Sequence, residues 1–140
     1  MTREPKVRDL MTRDICGVSE DATLLTAATA MAEQRVNSLV VWPTGAEEPF
    51  GILTSSDLID AIAAGRELGQ TRVGELSTSP LVLVTPGVRL RDAAKMMSRL
   101  NLRHLAVFNG KEIVGIVSGL DLVRALVGPL IHPGLEALTF

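Results

Sequence analysis

Leu24, Ala27, Ala28 and Met31 fall at i, i+3, i+4 and i+7, one face of a 3.6-residue period, and predict an amphipathic helix. Further along, Leu90, Ala93, Ala94 and Met97 repeat that face. Each helical stretch is followed by two apolar runs, SLVVW then FGILT in one case and HLAVF then IVGIVS in the other, joined by Gly-, Pro- or Asn-containing turns as a hairpin is. Ahead of each helix, a short amphipathic turn (VRDLM; VGEL) leads to a brief strand near Ile15–Ser19 or Leu81–Thr85. A closing helix is expected from about Ser55 to Ala64, and again from about Gly119 to Val127. The pattern predicts an α+β fold of two β-α-β-β-α repeats.

The repetition is written in the residues themselves. Shifted by 66 positions, residues 7–41 match residues 73–107 with ten identities in 35, among them Val18 with Val84, Leu24 with Leu90 and Met31 with Met97. The register then drops to 64, because the connection WPTGAEEPF is two residues longer than FNGKEIV, and a length change of that kind marks a surface turn. In the new register Gly51, Ile52, Asp57, Leu58 and Ala61 match Gly115, Ile116, Asp121, Leu122 and Ala125. Residues 7–64 and 73–127 are thus the two repeats, 65–72 (GRELGQTR) the linker, and 128–140 a C-terminal tail. A unit of this size alone leaves one sheet face uncovered, so the two are expected to pack sheet to sheet about a pseudo-twofold axis, with clefts between them suited to a small ligand. The tail, apolar at Leu130, Ile131, Leu135, Leu138 and Phe140 and broken by Pro129 and Pro133, is expected to cover a neighbouring subunit or its own core.

Composition narrows the function. At 46% hydrophobic residues in 140, the chain folds without staples, and a single cysteine rules out an internal disulfide. The N-terminus MTREPKVRDL is polar where a signal peptide has its apolar run, and no stretch approaches a membrane-spanning length, so a soluble cytoplasmic protein without a membrane partner is expected. A net charge of −2 with no Lys/Arg cluster argues against nucleic-acid binding. One Trp, three Phe and no Tyr supply no stacking platform, so any purine ligand sits between aliphatic side chains.

The candidate chemistry lies in a doubled nonapeptide, GILTSSDLI at 51–59 and GIVSGLDLV at 115–123. Thr54 and Ser118 stand at a strand end, with Asp57 and Asp121 three residues on in the first helical turn. A helix N-terminus offers unpaired amides to a phosphate, the hydroxyl adds a donor, and an ionised carboxylate can accept from the paired hydroxyls of a ribose. The same residue types are also the preferred helix caps, so a ribose-phosphate clamp and a capping device share one signature. Gly51 and Gly115 suit a close backbone approach.

The doubled unit, with VRDLMT opening it, the helix carrying Ala27-Ala28 and Met31, the strands RVNSLVV and NLRHLAV, and the two nonapeptides, resembles a tandem pair of CBS (cystathionine beta-synthase) domains across residues 7–127. The resemblance implies a regulatory module that binds adenine nucleotides (AMP, ADP, ATP) or related adenosyl ligands between the repeats, and that associates into a flat homodimer. It places the hydroxyl and aspartate positions on Thr54, Asp57, Ser118 and Asp121. The implied base pocket draws on Thr12, Ile15, Cys16, Val36 and Asn37 in the first copy and on Thr78, Leu81, Val82, Leu102 and Arg103 in the second. By analogy, the base pocket of one copy faces the clamp of the other.

Arg103 and His104 replace Asn37 and Ser38 at the start of the middle strand, either as a cationic pair near a phosphate or as a solvated strand start. His132 and His104 are the chain's two histidines, too few without a Cys pair for a zinc site, and no metal or required cofactor is expected. Cys16 lacks the His and Asn/Asp pattern of a nucleophile, and no phosphate loop, HExxH or GxSxG motif is present. With no such motif beside it, the resemblance implies a non-enzymatic nucleotide sensor acting on a separate effector protein. The alternative is a structural dimerisation module with no bound nucleotide.

Overall fold

The computed structural model describes residues 4–131, with side chains as far as Val127. The tail residues from His132 on lie outside the described residues. Twelve elements run in the order the hydrophobic pattern predicts. A single 3₁₀ turn (Val7–Asp9) leads to β1 (Gly17–Ser19), α1 (Leu24–Gln34), β2 (Ser38–Trp42), β3 (Gly51–Thr54) and α2 (Ser55–Ala63). The second copy follows with α3 (Val73–Leu76), β4 (Leu83–Val84), α4 (Leu90–Leu100), β5 (His104–Phe108), β6 (Ile113–Ser118) and α5 (Gly119–Ile131). The fold is α+β with two three-stranded sheets, β1-β2-β3 and β4-β5-β6. In each sheet the first pair is parallel, because a helix carries the chain back across the sheet, and the second is an antiparallel hairpin.

Local chemistry explains the helix limits. Thr23 caps α1 by accepting from the Thr26 amide at 3.2 Å. Arg35 and Asn101 end α1 and α4 in the left-handed region, at φ 56° and 54°, which asparagine tolerates better than arginine. The helix α5 runs on to Ile131, beyond the end expected near Val127; Pro129 in the last turn removes only one ladder donor.

Two compact units result, and they cut across the written repeats. Residues 15–81 form a continuous unit; residues 82 onward form a discontinuous one together with the segment up to Asp14. The opening turns have changed places. Val7, fully buried, and Met11 belong to the core that holds Leu90, Met97, Leu105 and Val117, while Val73, also fully buried, completes the core of Leu24, Leu39, Leu53 and Leu58. Backbone bonds fix both exchanges in the same way: the Val7 amide donates to the Val88 carbonyl at 2.9 Å, and the Val73 amide to Ala22 at 2.8 Å. Thr12 pairs with Ile116 and Thr78 with Ile52, each through two bonds of 2.8 to 3.0 Å. Burying each valine contributes about 1.5 to 3 kcal/mol.

The repeated glycines are explained by these exchanged segments. A Cβ on Gly51 would stand 3.0 Å from the Thr78 carbonyl oxygen, and one on Gly115 would run into the Met11 side chain. Close approach of the opening segment, within each unit, favours glycine at both places.

Candidate functional site

Each clamp is built where a hairpin strand hands over to a helix. Ser38 at the start of β2 is in register with Thr54 at the end of β3, and His104 with Ser118 in the other sheet. The chain then turns into the helix under a backbone bond, from the Ser55 amide to the Asn37 carbonyl at 2.9 Å and from the Gly119 amide to the Arg103 carbonyl at 2.8 Å. Hydroxyl, carboxylate and the residue before the middle strand are therefore neighbours in both units.

Capping bonds between strand end and first helical turn hold the polar groups. The Thr54 amide donates to Asp57 Oδ2 at 2.8 Å, and the Thr54 hydroxyl donates to the same oxygen at 3.2 Å. In the discontinuous unit the Ser118 amide donates to Asp121 Oδ2 at 3.0 Å, while Ser118 Oγ accepts from the Asp121 amide at 3.2 Å. The capping reading of the doubled signature is what these bonds show; one carboxylate oxygen serves the cap and Oδ1 stays outside it. The first amide of each helix, that of Ser55 or Gly119, is bonded to the residue ahead of the middle strand, and in the discontinuous unit the third is bonded to Ser118 Oγ; the amides of Ser56 and Leu120 lie outside these bonds.

The two hydroxyls differ in one respect. A hydroxyl carries one proton, and that of Thr54 is directed to Asp57, whereas Ser118 acts as acceptor and keeps its proton outside the capping box. Arg103 is exposed beside Ser118, and His104 is half-buried opposite it.

The remaining sequence-derived positions divide between the units. Thr54, Asp57, Val36, Asn37, Ile15, Cys16, Thr78 and Leu81 lie in the continuous unit, and Ser118, Asp121, Leu102, Arg103, His104, Val82 and Thr12 in the discontinuous one. Exchange of the opening turns is the reason that Thr12 sits in the unit of Ser118, two residues from it along β6 through its partner Ile116, and Thr78 in the unit of Thr54. Leu81 is buried, its amide donating to the Phe50 carbonyl at 2.7 Å. The carbonyls of Cys16 and Val82 accept from Val40 and Ala106, both at 2.9 Å, and extend the sheets just ahead of β1 and β4. Val36 and Leu102 close the helix ends by donating to Met31 and Met97, and pack against the cores, as Cys16 and Val82 do. Ser38, the counterpart of His104, was not among the sequence candidates; the 66-residue register points to it directly.

Among the described residues no group of three or more His, Cys, Asp or Glu could hold a metal ion, and no helix is long and apolar enough to cross a membrane. The family model for the CBS domain matches twice, over residues 7–64 and 73–128. The chain belongs to the CBS-domain family. Its CBS repeats are 34% identical over 117 residues to the CBS domain-containing protein YhcV of Bacillus subtilis, a match covering 83% of this chain and 81% of that one. Among solved structures, the hexameric CBS-CP12 protein from bloom-forming cyanobacteria superposes with a TM-score of 0.80 at 26% identity, covering 96% of this chain and 79% of its own. The CBS domain protein PAE2072 from Pyrobaculum aerophilum, complexed with AMP, superposes with a TM-score of 0.73 at 28% identity, covering 90% and 98%. CBS domains are regulatory ligand-binding modules.

Proposed function

We propose that this CBS pair senses an adenosine nucleotide, AMP, ADP, ATP or a related adenosyl ligand, and passes its occupancy to a separate effector protein. The observation that carries the reading is the doubled clamp: in each unit a hydroxyl, a carboxylate with an oxygen outside the cap, and an unbonded helix amide converge at one strand end. The AMP complex of the similar protein PAE2072 supports the choice of ligand. Asp57 and Asp121 take the ribose hydroxyls; Thr54 or Ser118 and the helix amide take the phosphate; Val36, Cys16, Leu81 and their counterparts Leu102, Val82 and Ile15 supply aliphatic walls for the base. The proposal is for a cytoplasmic, non-catalytic protein that associates with itself, as the hexameric CBS-CP12 protein does.

The capping boxes favour a second reading, a structural module whose Asp57 and Asp121 do no more than end strands and start helices. Calorimetry on Asp57→Ala/Asp121→Ala separates them. Loss of AMP binding, with each substitution costing about 1 kcal/mol of stability, supports the sensor. Unchanged affinity, or a wild-type protein whose melting temperature does not respond to any of AMP, ADP, ATP, S-adenosylmethionine or NAD, leaves the structural module.

A further inference from the structure

The two helical faces carry opposite charge at equivalent positions. On α2 the outward stripe is Ser56, Ile59, Asp60 and Ala63; on α5, shifted by 64, it is Leu120, Val123, Arg124 and Val127. Ile59, Ile62, Leu120 and Val123 are all more than half exposed, large apolar side chains that folding of the single chain leaves in water. At the centre of the stripe Asp60 faces out from one unit where Arg124 faces out from the other. The preceding helices repeat the contrast, with Glu33 on α1 in the place of Arg99 on α4. The helices α1 and α2 carry Glu33, Asp57 and Asp60 and no basic residue, whereas α4 and α5 carry Arg91, Lys95, Arg99 and Arg124 against Asp92 and Asp121. None of Glu33, Asp60, Arg99 and Arg124 is in an ion pair among the described residues. The α4–α5 face is also hollowed: a groove of about 550 Å³ has an apolar wall that includes Met97, Leu122 and Leu126 and a polar end with Ser98, Asn101 and Arg103.

We infer that self-association pairs unlike faces, the α1–α2 face of one copy on the α4–α5 face of a second copy. Ile59 and Ile62 of the first copy pack on the apolar wall of the groove of the second, and Asp60 meets Arg124 at its rim. Pairing of like faces would set acidic helices against acidic helices and basic against basic, a juxtaposition that disfavours association. The occupant is therefore another copy of this chain in one particular pairing, which rests on the self-association proposed above and adds the choice of surfaces to it.

Sedimentation equilibrium on the full chain tests the pairing. Asp60→Arg and Arg124→Asp each turn an attraction into a repulsion, and each is expected to raise the dissociation constant about tenfold at low salt, while Asp60→Arg/Arg124→Asp together restore it to within about threefold. Singles that associate as tightly as the wild type overturn the pairing and leave self-association standing. A double variant no tighter than the singles also overturns it, since the two side chains then do not meet. A wild-type chain that stays at 15 kDa at micromolar concentration overturns self-association and the pairing together.

Discussion

The clamp at Thr54 and Asp57 and the clamp at Ser118 and Asp121 share a backbone and differ in chemistry. Register, turn bond and the bond from the strand-end amide to the aspartate are the same to within a few tenths of an ångström. Yet Asn37 and Ser38 stand in one where Arg103 and His104 stand in the other, and the Thr54 hydroxyl is turned inward where that of Ser118 is not. Duplication has preserved the groups that the strand-to-helix junction needs in order to fold. The side chains just ahead of the middle strand, whose backbone alone makes the turn bond, were free to diverge in charge. Specificity is thus expected at the positions the fold does not constrain.

The largest expected effect breaks the comparison at the cores. Val7→Ala and Val73→Ala should each cost about 2 kcal/mol, but in different places. Native-state hydrogen exchange should show Val7→Ala loosening residues 82–131 and Val73→Ala loosening 15–81; protection lost in the opposite unit would contradict the exchange of opening turns. Next comes charge. If the discontinuous unit reads phosphate, Arg103→Ala weakens AMP about tenfold or more and leaves uncharged adenosine nearly unaffected. Calorimetry with both ligands on the same variant decides it, because equal losses would mean that Arg103 shapes the pocket rather than reading charge. The smallest effect involves Glu20, whose counterpart in the other copy is Pro86. The Thr44 hydroxyl, at 2.6 Å, and the Thr44 amide, at 2.9 Å, hold the Glu20 carboxyl below its ordinary value. A depressed carboxyl contributes stability that is present above the unfolded pKa and lost as pH falls through the folded one. Glu20→Gln should therefore flatten a slight loss of stability on acidification below the ordinary glutamate range, confined to the continuous unit. An acid melting curve that is the same with and without the substitution would remove Glu20 from the account.

The elements were legible because their signals are local. Leu24, Ala27 and Met31 spell a helix face within two turns, and SLVVW before a turn spells a strand. The doubling of Thr54/Asp57 in Ser118/Asp121 was legible for the same reason. What the sequence does not carry is which core receives an opening turn. Val7 and Val73 occupy the same place in the repeat, and similarity says nothing of whether each packs at home or abroad. The glycines illustrate the point: Gly51 and Gly115 announced a close approach, but only the folded chain identifies Thr78 and Met11 as what approaches. The hydroxyl asymmetry between Thr54 and Ser118 was likewise hidden, being a matter of hydrogen-bond direction at residues of the same type.

The exchanged opening turns also set an order of events during synthesis. Residues 15–81 leave the ribosome as one stretch with every part of their core, Val73 included, and can close while the rest of the chain is still being made. Residues 4–14 emerge earlier but have nothing to pack on until α4, β5 and β6 exist, so Val7 and Met11 remain in water until those elements are made. Lengthening a closing loop adds little entropy, about 0.6 kcal/mol per doubling, and the delay costs the finished protein little. It makes the pairing of Thr12 with Ile116 a late join, linking a segment made before residues 15–81 to a strand made after them.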